Sequence, residues 1–402
     1  MKNLLKHARK LASAFRVADG KGFRMKDFDP ADTLGIKSEA KPESSLALQH
    51  GVDEIARLQD MLYAQDKWAV LLIFQAMDAA GKDGTIKHVL SGVNPQGCDV
   101  HSFKAPSSED LDHDFLWRCS MRLPERGRLG IFNRSYYEEA LVVRVHPELL
   151  AKEKLPPQLV GKHIWEHRFE DIRHFERYLG RNGIVVRKFF LHLSKKEQRR
   201  RFLERLENPE KHWKFSEADA REREAWDAYM DAYEDMIRNT ASETAPWYVV
   251  PADNKWFTRL VVSAVVLETL SSLDLKYPEV DKSRQRELDA AGKDGAIKHV
   301  MSGVNPQGCQ VFSFKSPSAE DLDHDYLWRC QKCLPNRGHI GIFNRSYYEE
   351  TLVVRVHPEF LRKQKLPPDL VTRDIWPERR GGPEILPARL EEGTEAAVSG
   401  AD

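Results

Sequence analysis

The chain has 402 residues, 41% hydrophobic and 31% charged, and its 62 Lys and Arg are matched by 62 Asp and Glu. Zero net charge supplies no global field for a nucleic-acid partner, and no apolar run approaches the roughly 18 residues a membrane span needs. Five cysteines over this length are no disulfide framework, so the expectation is a cytoplasmic enzyme of two or three domains, or one large one.

The N-terminal segment MKNLLKHARKLASAFRV is mildly basic and amphipathic. It lacks the apolar core and small-residue cleavage site of a secretory signal, and so predicts a surface helix or arm. Residues 20–50 read as an extended arm leading into a helix near 50–65, which makes 1–66 an N-terminal arm and helix. Residues 68–74 are a continuous apolar run, suited to a parallel strand buried on both faces. The run ends at the loop AMDAAGKDG, with a helix expected from about Thr85. Further strands are predicted near 99–103, at RLGIFNRS, over 183–193 and over 245–252. A long helical region, about 195–240, separates the last two, and an amphipathic helix after residue 255 closes the domain. Strands alternating with helices predict an α/β fold of three layers over 67–280, a parallel central sheet covered on both faces.

The loop Asp78-Ala79-Ala80-Gly81-Lys82-Asp83-Gly84-Thr85 lies between the predicted buried strand and its helix. Glycines let such a loop curl until backbone N–H groups point at phosphate oxygens, and the helix N-terminus adds positive potential. Lys82 is placed to neutralise transferring phosphates, and Thr85 to contact phosphate or magnesium. The strict Walker pattern is matched incompletely: Ala76 stands at its first glycine, and Asp83 follows the lysine in place of Ser or Thr.

A second motif is the strand end GIFNRSYYEE, residues 130–139. Ligands of doubly wound sheets gather beyond the carboxyl ends of the strands, so Asn133 and Arg134 are expected beside the loop. Arg134 would clamp a phosphate, and Glu138, one helical turn later, would hold a metal-bound water or a nucleotide group. Asn133 stands where many phosphate-loop enzymes place an aspartate for magnesium, which leaves that duty to Asp78. Taken singly, Asn133 is a helix cap and Arg134 half of a surface pair. Neither account explains why both follow an apolar strand. The expected phosphate-binding set is Ala80, Gly81, Asp83, Gly84, Thr85, Asn133 and Arg144.

Lys and Arg crowd residues 187–214. A solvated helix face would account for that, but Arg201 and Arg205 fall at i and i+4 beside Phe202 and Leu206, and Lys211 and Lys214 follow. A helix with a buried stripe flanked by cations is the form of a lid that folds over a polyanion. Cys330 and Cys333 form a lone CxxC, too little for a zinc site, and EDLDHD is expected on a helix making surface pairs.

Residues 78–165 recur at 289–376 without gaps, with about three quarters of the positions identical. The second copy follows DKSRQREL, which cannot fill a central strand, and carries Ala296 where the first has Thr85. After it comes a Gly/Pro/Glu/Ala-rich tail, 377–402, that reads as disordered. Residues 281–376 are therefore expected to be an inactive partial duplicate, soft and with exposed apolar surface.

MDAAGKDGTIKHV, GVNPQGC, the FNRSYYEE and VVRVHPE block, NPEKHWKFS and APWYVVPADNKWF resemble the polyphosphate kinase 2 family, in family order, over about 23–277. The Asp-Gly after Lys82, with Asn133 in place of an aspartate, looks most like its class III. The resemblance implies a P-loop kinase-like fold with a helical lid, and transfer of phosphate from inorganic polyphosphate to AMP and ADP. It also implies magnesium (or manganese) as cofactor, held by Asp78, and a homo-oligomer, dimer or tetramer. By it Asp78, Lys82, Arg134 and Glu138 match catalytic positions, and Arg201, Arg205, Lys211 and Lys214 fall in the lid. Residues 289–402 are expected to have no counterpart in the family pattern. Two competing readings are an ATP-dependent nucleoside monophosphate kinase on the same scaffold and a non-catalytic polyphosphate binder blocked by the duplication.

Overall fold

In the computed structural model, residues 2–214 and 216–278 are described, and farther on 303–322, 324–357 and a few shorter stretches up to residue 376. The duplicate loop at 289–296 and the tail at 377–402 lie outside the described residues. The chain divides into two compact units, Met1–Gly308 and Cys309–Asp402.

The first unit is built on a sheet of six strands: β1 (Arg16–Val17), β2 (Ala69–Gln75), β3 (Cys98–Ser102), β4 (Leu129–Asn133), β5 (Ile184–His192) and β6 (Trp247–Pro251). Their spatial order is β1-β6-β5-β2-β4-β3, with β1 antiparallel to β6 and every other pair parallel. Strand β2 sits between β5 and β4 with all seven residues buried, which is why AVLLIFQ shows no polar alternation. Val70, Leu72 and Phe74 enter one core; Leu71 and Ile73 enter the other. The predicted strands are all present, shifted by a residue or two. Trp68 falls outside β2, and β1 carried too little pattern in two residues to be read.

Among the described residues to 278, ten α-helices follow in chain order: α1 (Lys2–Ala14), α2 (Lys41–Gln65), α3 (Lys82–Val89), the short α4 (Trp117–Ser120), α5 (Glu138–Val145), α6 (Ile164–Arg181), α7 (Lys195–Glu207), α8 (Glu217–Glu222), α9 (Trp226–Thr240) and α10 (Lys255–Ser271). Helix α10 packs against α1, α2 and α3 on one face of the sheet, while α5, α6 and α9 pack together on the other. These are the three layers the alternating pattern predicts. Helix α1 buries Ala8 and Ala12 in the α10 core and is thus a structural element of the domain. In the first copy EDLDHD forms a 3-10 turn, Asp110–Asp112, and in the second its start lies in the short helix Ala319–Leu322.

Part of the basic segment turns inward. Arg187 and Lys188 are neighbours in β5, so their side chains point to opposite faces. Arg187 donates to Thr269 Oγ1 (3.1 Å) in α10. Lys188 is fully buried on the other side, on Glu176 (2.6 Å), Tyr137 Oη (3.0 Å) and Thr240 O (2.8 Å). Burial would discharge this lysine, and the Glu176 carboxylate opposes that. Both cations are thus engaged within the protein, and Lys188 has no exposed surface.

In the second unit, β7 (Cys309–Ser313) and β8 (Ile340–Asn344) form a parallel pair with two short helical turns. The counterpart of β8 in the first unit, β4, is buried throughout, whereas Ile340 is 52% exposed. Tyr137 has no exposed surface, and its counterpart Tyr348 is 61% exposed. The same sequence thus loses its cover where no strand corresponding to β2 is paired with β8 among the described residues.

Candidate functional site

The parallel register pairs Phe74 with Asn133 and Gln75 with Phe190, so β4 stops beside the end of β2, β5 runs on to His192, and β2 opens directly into the phosphate loop. Ala79 (φ +62°) and Gly81 (φ +99°) adopt left-handed conformations that fold the loop back onto the start of α3. Lys82 Nζ donates to Ala76 O at 2.8 Å, spanning the curl. Burial, and secondarily Arg134, push the Lys82 ammonium below the usual lysine range, while Asp78 and Glu138 oppose that.

Arg134 is the first residue after β4 and also holds a positive φ, +65°. Its backbone N–H donates to Phe74 O (3.0 Å), fixing the turn to the end of β2. A left-handed arginine is uncommon and strained, and such strain collects at functional sites. The turn aims the guanidinium back over the loop, where it meets Asp78 Oδ1 (3.1 Å) and Glu138 Oε2 (3.3 Å). Glu138 is held further by Gln75, whose amide donates to Glu138 Oε1 (2.8 Å) and accepts from Ser135 N (3.1 Å). Burial raises the Glu138 carboxyl above its ordinary range, and Arg134 and Lys82 counteract this. Asn133 Nδ2 donates to Asp83 Oδ1 (2.7 Å) and so braces the first turn of α3.

A cleft of about 720 Å³ opens beside these residues, and Glu138 is not among those bordering it. Asp78, Ala80, Gly81, Lys82, Asp83, Gly84, Thr85, Asn133 and Arg134 all border it, as do Arg201, Arg205 and Lys211. Lys211 is paired with Glu204, and the Arg205 guanidinium lies over the Phe202 ring at 5.3 Å. Three further expected residues are placed otherwise. Arg144 is not among the residues bordering the cleft; it reaches from α5 to Asp235 of α9 (2.7 Å). Lys214 ends the 3-10 turn Pro209–Lys214, and its side chain lies outside the described residues. Arg201 borders the cleft yet is 4% exposed, with its guanidinium turned into the protein. Lys104, Lys255 and Arg259 border the cleft without having been anticipated. Lys104 follows the end of β3, and Lys255 and Arg259 lie one turn apart on α10. The places of Lys104 soon after β3 and of Lys255 soon after β6 were the available signal, and Arg259 follows from Lys255 by helical spacing.

Asp78 and Glu138 offer hard oxygen donors beside the loop, and the described residues contain no group of three or more His, Cys, Asp or Glu arranged around a metal. This donor set suits magnesium, which takes one or two carboxylates and completes its shell with water and substrate phosphates. It does not suit a zinc centre.

The family model for polyphosphate kinase 2 matches residues 38–278 and again residues 286–369. The family pattern therefore extends into the second copy, contrary to the expectation from the motifs. An ADP-polyphosphate phosphotransferase of Rhodopseudomonas palustris is 57% identical over 251 residues, 62% of this chain and 87% of that protein. An AMP/ADP-polyphosphate phosphotransferase of Meiothermus ruber is 44% identical over 274 residues, 68% of this chain and 97% of that protein. The crystal structure of polyphosphate kinase 2 from Arthrobacter aurescens TC1 superimposes with a TM-score of 0.63 at 38% identity, covering 69% of this chain and 96% of that one. With its sheet order, its phosphate loop and these matches together, the chain belongs to the polyphosphate kinase 2 family.

Proposed function

We propose that this chain transfers a phosphoryl group from inorganic polyphosphate to AMP and ADP, at one site formed by the first unit. The observation that carries the reading is the cleft itself. The phosphate loop, Arg134 and cations from separate segments (Lys104, Arg205, Lys211, Lys255 and Arg259) line one continuous space. Such a lining suits a long polyanion on one side of the transferring group and a nucleotide on the other. The names of the relatives support polyphosphate as donor and AMP and ADP as acceptors.

A terminal nucleotide phosphate is largely deprotonated near neutral pH and needs no strong general base. Catalysis then reduces to alignment and charge neutralisation. Lys82 and Arg134 neutralise charge on the transferring group, Glu138 fixes the Arg134 fork, and Asn133 holds the first turn of α3 through Asp83. Asp78 would hold magnesium, which would supply neutralisation of charge on the phosphate chain.

The test supplies AMP, magnesium and polyphosphate without ATP and follows the nucleotides by chromatography. ADP and then ATP are expected, at a rate that falls as salt is raised, because the contacts are mainly Coulombic. Product only when ATP is the donor would assign the chain to ATP-dependent nucleotide phosphorylation instead.

A further inference from the structure

Helix α7 grips the phosphate loop from behind. Arg201 Nη1 donates to Ala79 O and Ala80 O, both at 2.9 Å. Arg201 Nη2 donates to Ala252 O (2.6 Å) and Asp253 O (3.1 Å), just past β6. Nε donates to Glu197 Oε1 (2.8 Å) on the same helix. A guanidinium has five N–H donors, and these contacts engage all five. One turn earlier, Gln198 Nε2 donates to Asp78 O (3.1 Å), and Gln198 Oε1 accepts from Arg223 (2.9 Å). Three consecutive carbonyls of the loop, those of Asp78, Ala79 and Ala80, thus belong to two side chains of α7.

Successive peptide units that turn their carbonyls to one side present their N–H groups toward the other, the arrangement a phosphate cradle requires. We infer that Arg201 and Gln198 are positioning residues for the phosphate loop, and that Arg201 is not a polyphosphate ligand. Helix α7 is then part of the rigid frame of the site, and lid movement is confined to the segment after Glu207. The helix is also clamped at its start, where Ser194 Oγ caps Glu197 N (3.1 Å) and Ser194 N donates to Asp253 Oδ1 (2.8 Å). The repeat ends at Trp376, the counterpart of Trp165, before the position at which α7 follows in the first copy.

This inference rests on reading the loop as the phosphate site, so the primary measurement uses no substrate. Hydrogen exchange is followed over residues 76–85 in the full chain, in Arg201→Lys, in Gln198→Glu and in Arg205→Ala. Lysine keeps the charge of Arg201 but cannot span both loops. Glutamate at 198 keeps the acceptor for Arg223 and loses the donor to Asp78. Both variants are expected to exchange the loop amides about tenfold faster or more, with kcat lowered and the KM for polyphosphate changed less than about threefold. Arg205→Ala should raise that KM and leave loop exchange as in the parent chain. Wild-type exchange in both Arg201→Lys and Gln198→Glu, with Arg201→Lys raising only the polyphosphate KM, would overturn the inference and make Arg201 a direct ligand. Failure of the chain to use polyphosphate at all leaves the exchange result readable, so the two readings fail separately.

Discussion

Lys82→Met is expected to lower kcat for ADP formation from polyphosphate about 100- to 1000-fold while the protein stays folded, by analogy with the loss of one preorganised charge or donor at a transition state. The separation of the two effects follows from the surroundings of Lys82. Its ammonium is partly buried within the curl of the loop, and desolvation there lowers its proton affinity below that of a free lysine. Methionine keeps most of the stem volume and removes a buried charge, so the desolvation penalty disappears together with the hydrogen bond to Ala76 O. A melting temperature within a few degrees of the parent (about 1 kcal/mol either way) should accompany the kinetic collapse. Steady-state rates and thermal melts on the same preparation check both halves.

Arg134→Lys is expected to cost kcat about 100-fold or more, even though charge is conserved, because a flexible ammonium cannot reproduce a rigid fork. Arg134 meets Asp78 at 3.1 Å and Glu138 at 3.3 Å through two different nitrogens. The strained turn at φ +65° aims that fork and is unaffected by the change of side chain. The loss should therefore appear as misalignment, in kcat more than in the nucleotide KM. A matched fall in nucleotide affinity with kcat preserved would show that Arg134 only binds substrate.

The fold was legible where the chain obeys a period or an interruption. AVLLIFQ has no polar residue before its last position because both its faces are covered, and GIFNRS turns abruptly polar because β4 ends at Asn133. Those two edges sufficed to bring Asp78, Lys82, Arg134 and Glu138 together. What sequence could not show was the direction a cation faces. Arg187, Lys188 and Arg201 sit in one basic run, yet Lys188 is sealed against Glu176 and Arg201 against five oxygen acceptors. Charge in a sequence suggests solvent or ligand, and only the partner from a distant element reveals a buried pair. Arg144 was misplaced for the same reason, since Asp235 lies 91 residues away along the chain. Lys104, Lys255 and Arg259 were overlooked because each stands in a segment with no basic cluster around it.

The duplicate shows the converse. It repeats GIFNRSYYEE letter for letter and even the left-handed arginine, Arg345 at φ +64°, so the turn is set locally. Burial is not set locally, since Tyr348 is exposed where Tyr137 is not. A loop motif preceded by DKSRQREL, which cannot fill a central strand, is proposed to be inert, and that places the whole activity on the first copy.

The most direct test of this account is the rate of ADP formation from AMP, magnesium and polyphosphate by the full chain carrying Lys293→Met, the counterpart of Lys82→Met in the second copy. The account predicts the parent rate to within about twofold, beside the 100-fold or greater loss at Lys82. A loss at Lys293 comparable with that at Lys82 would contradict it.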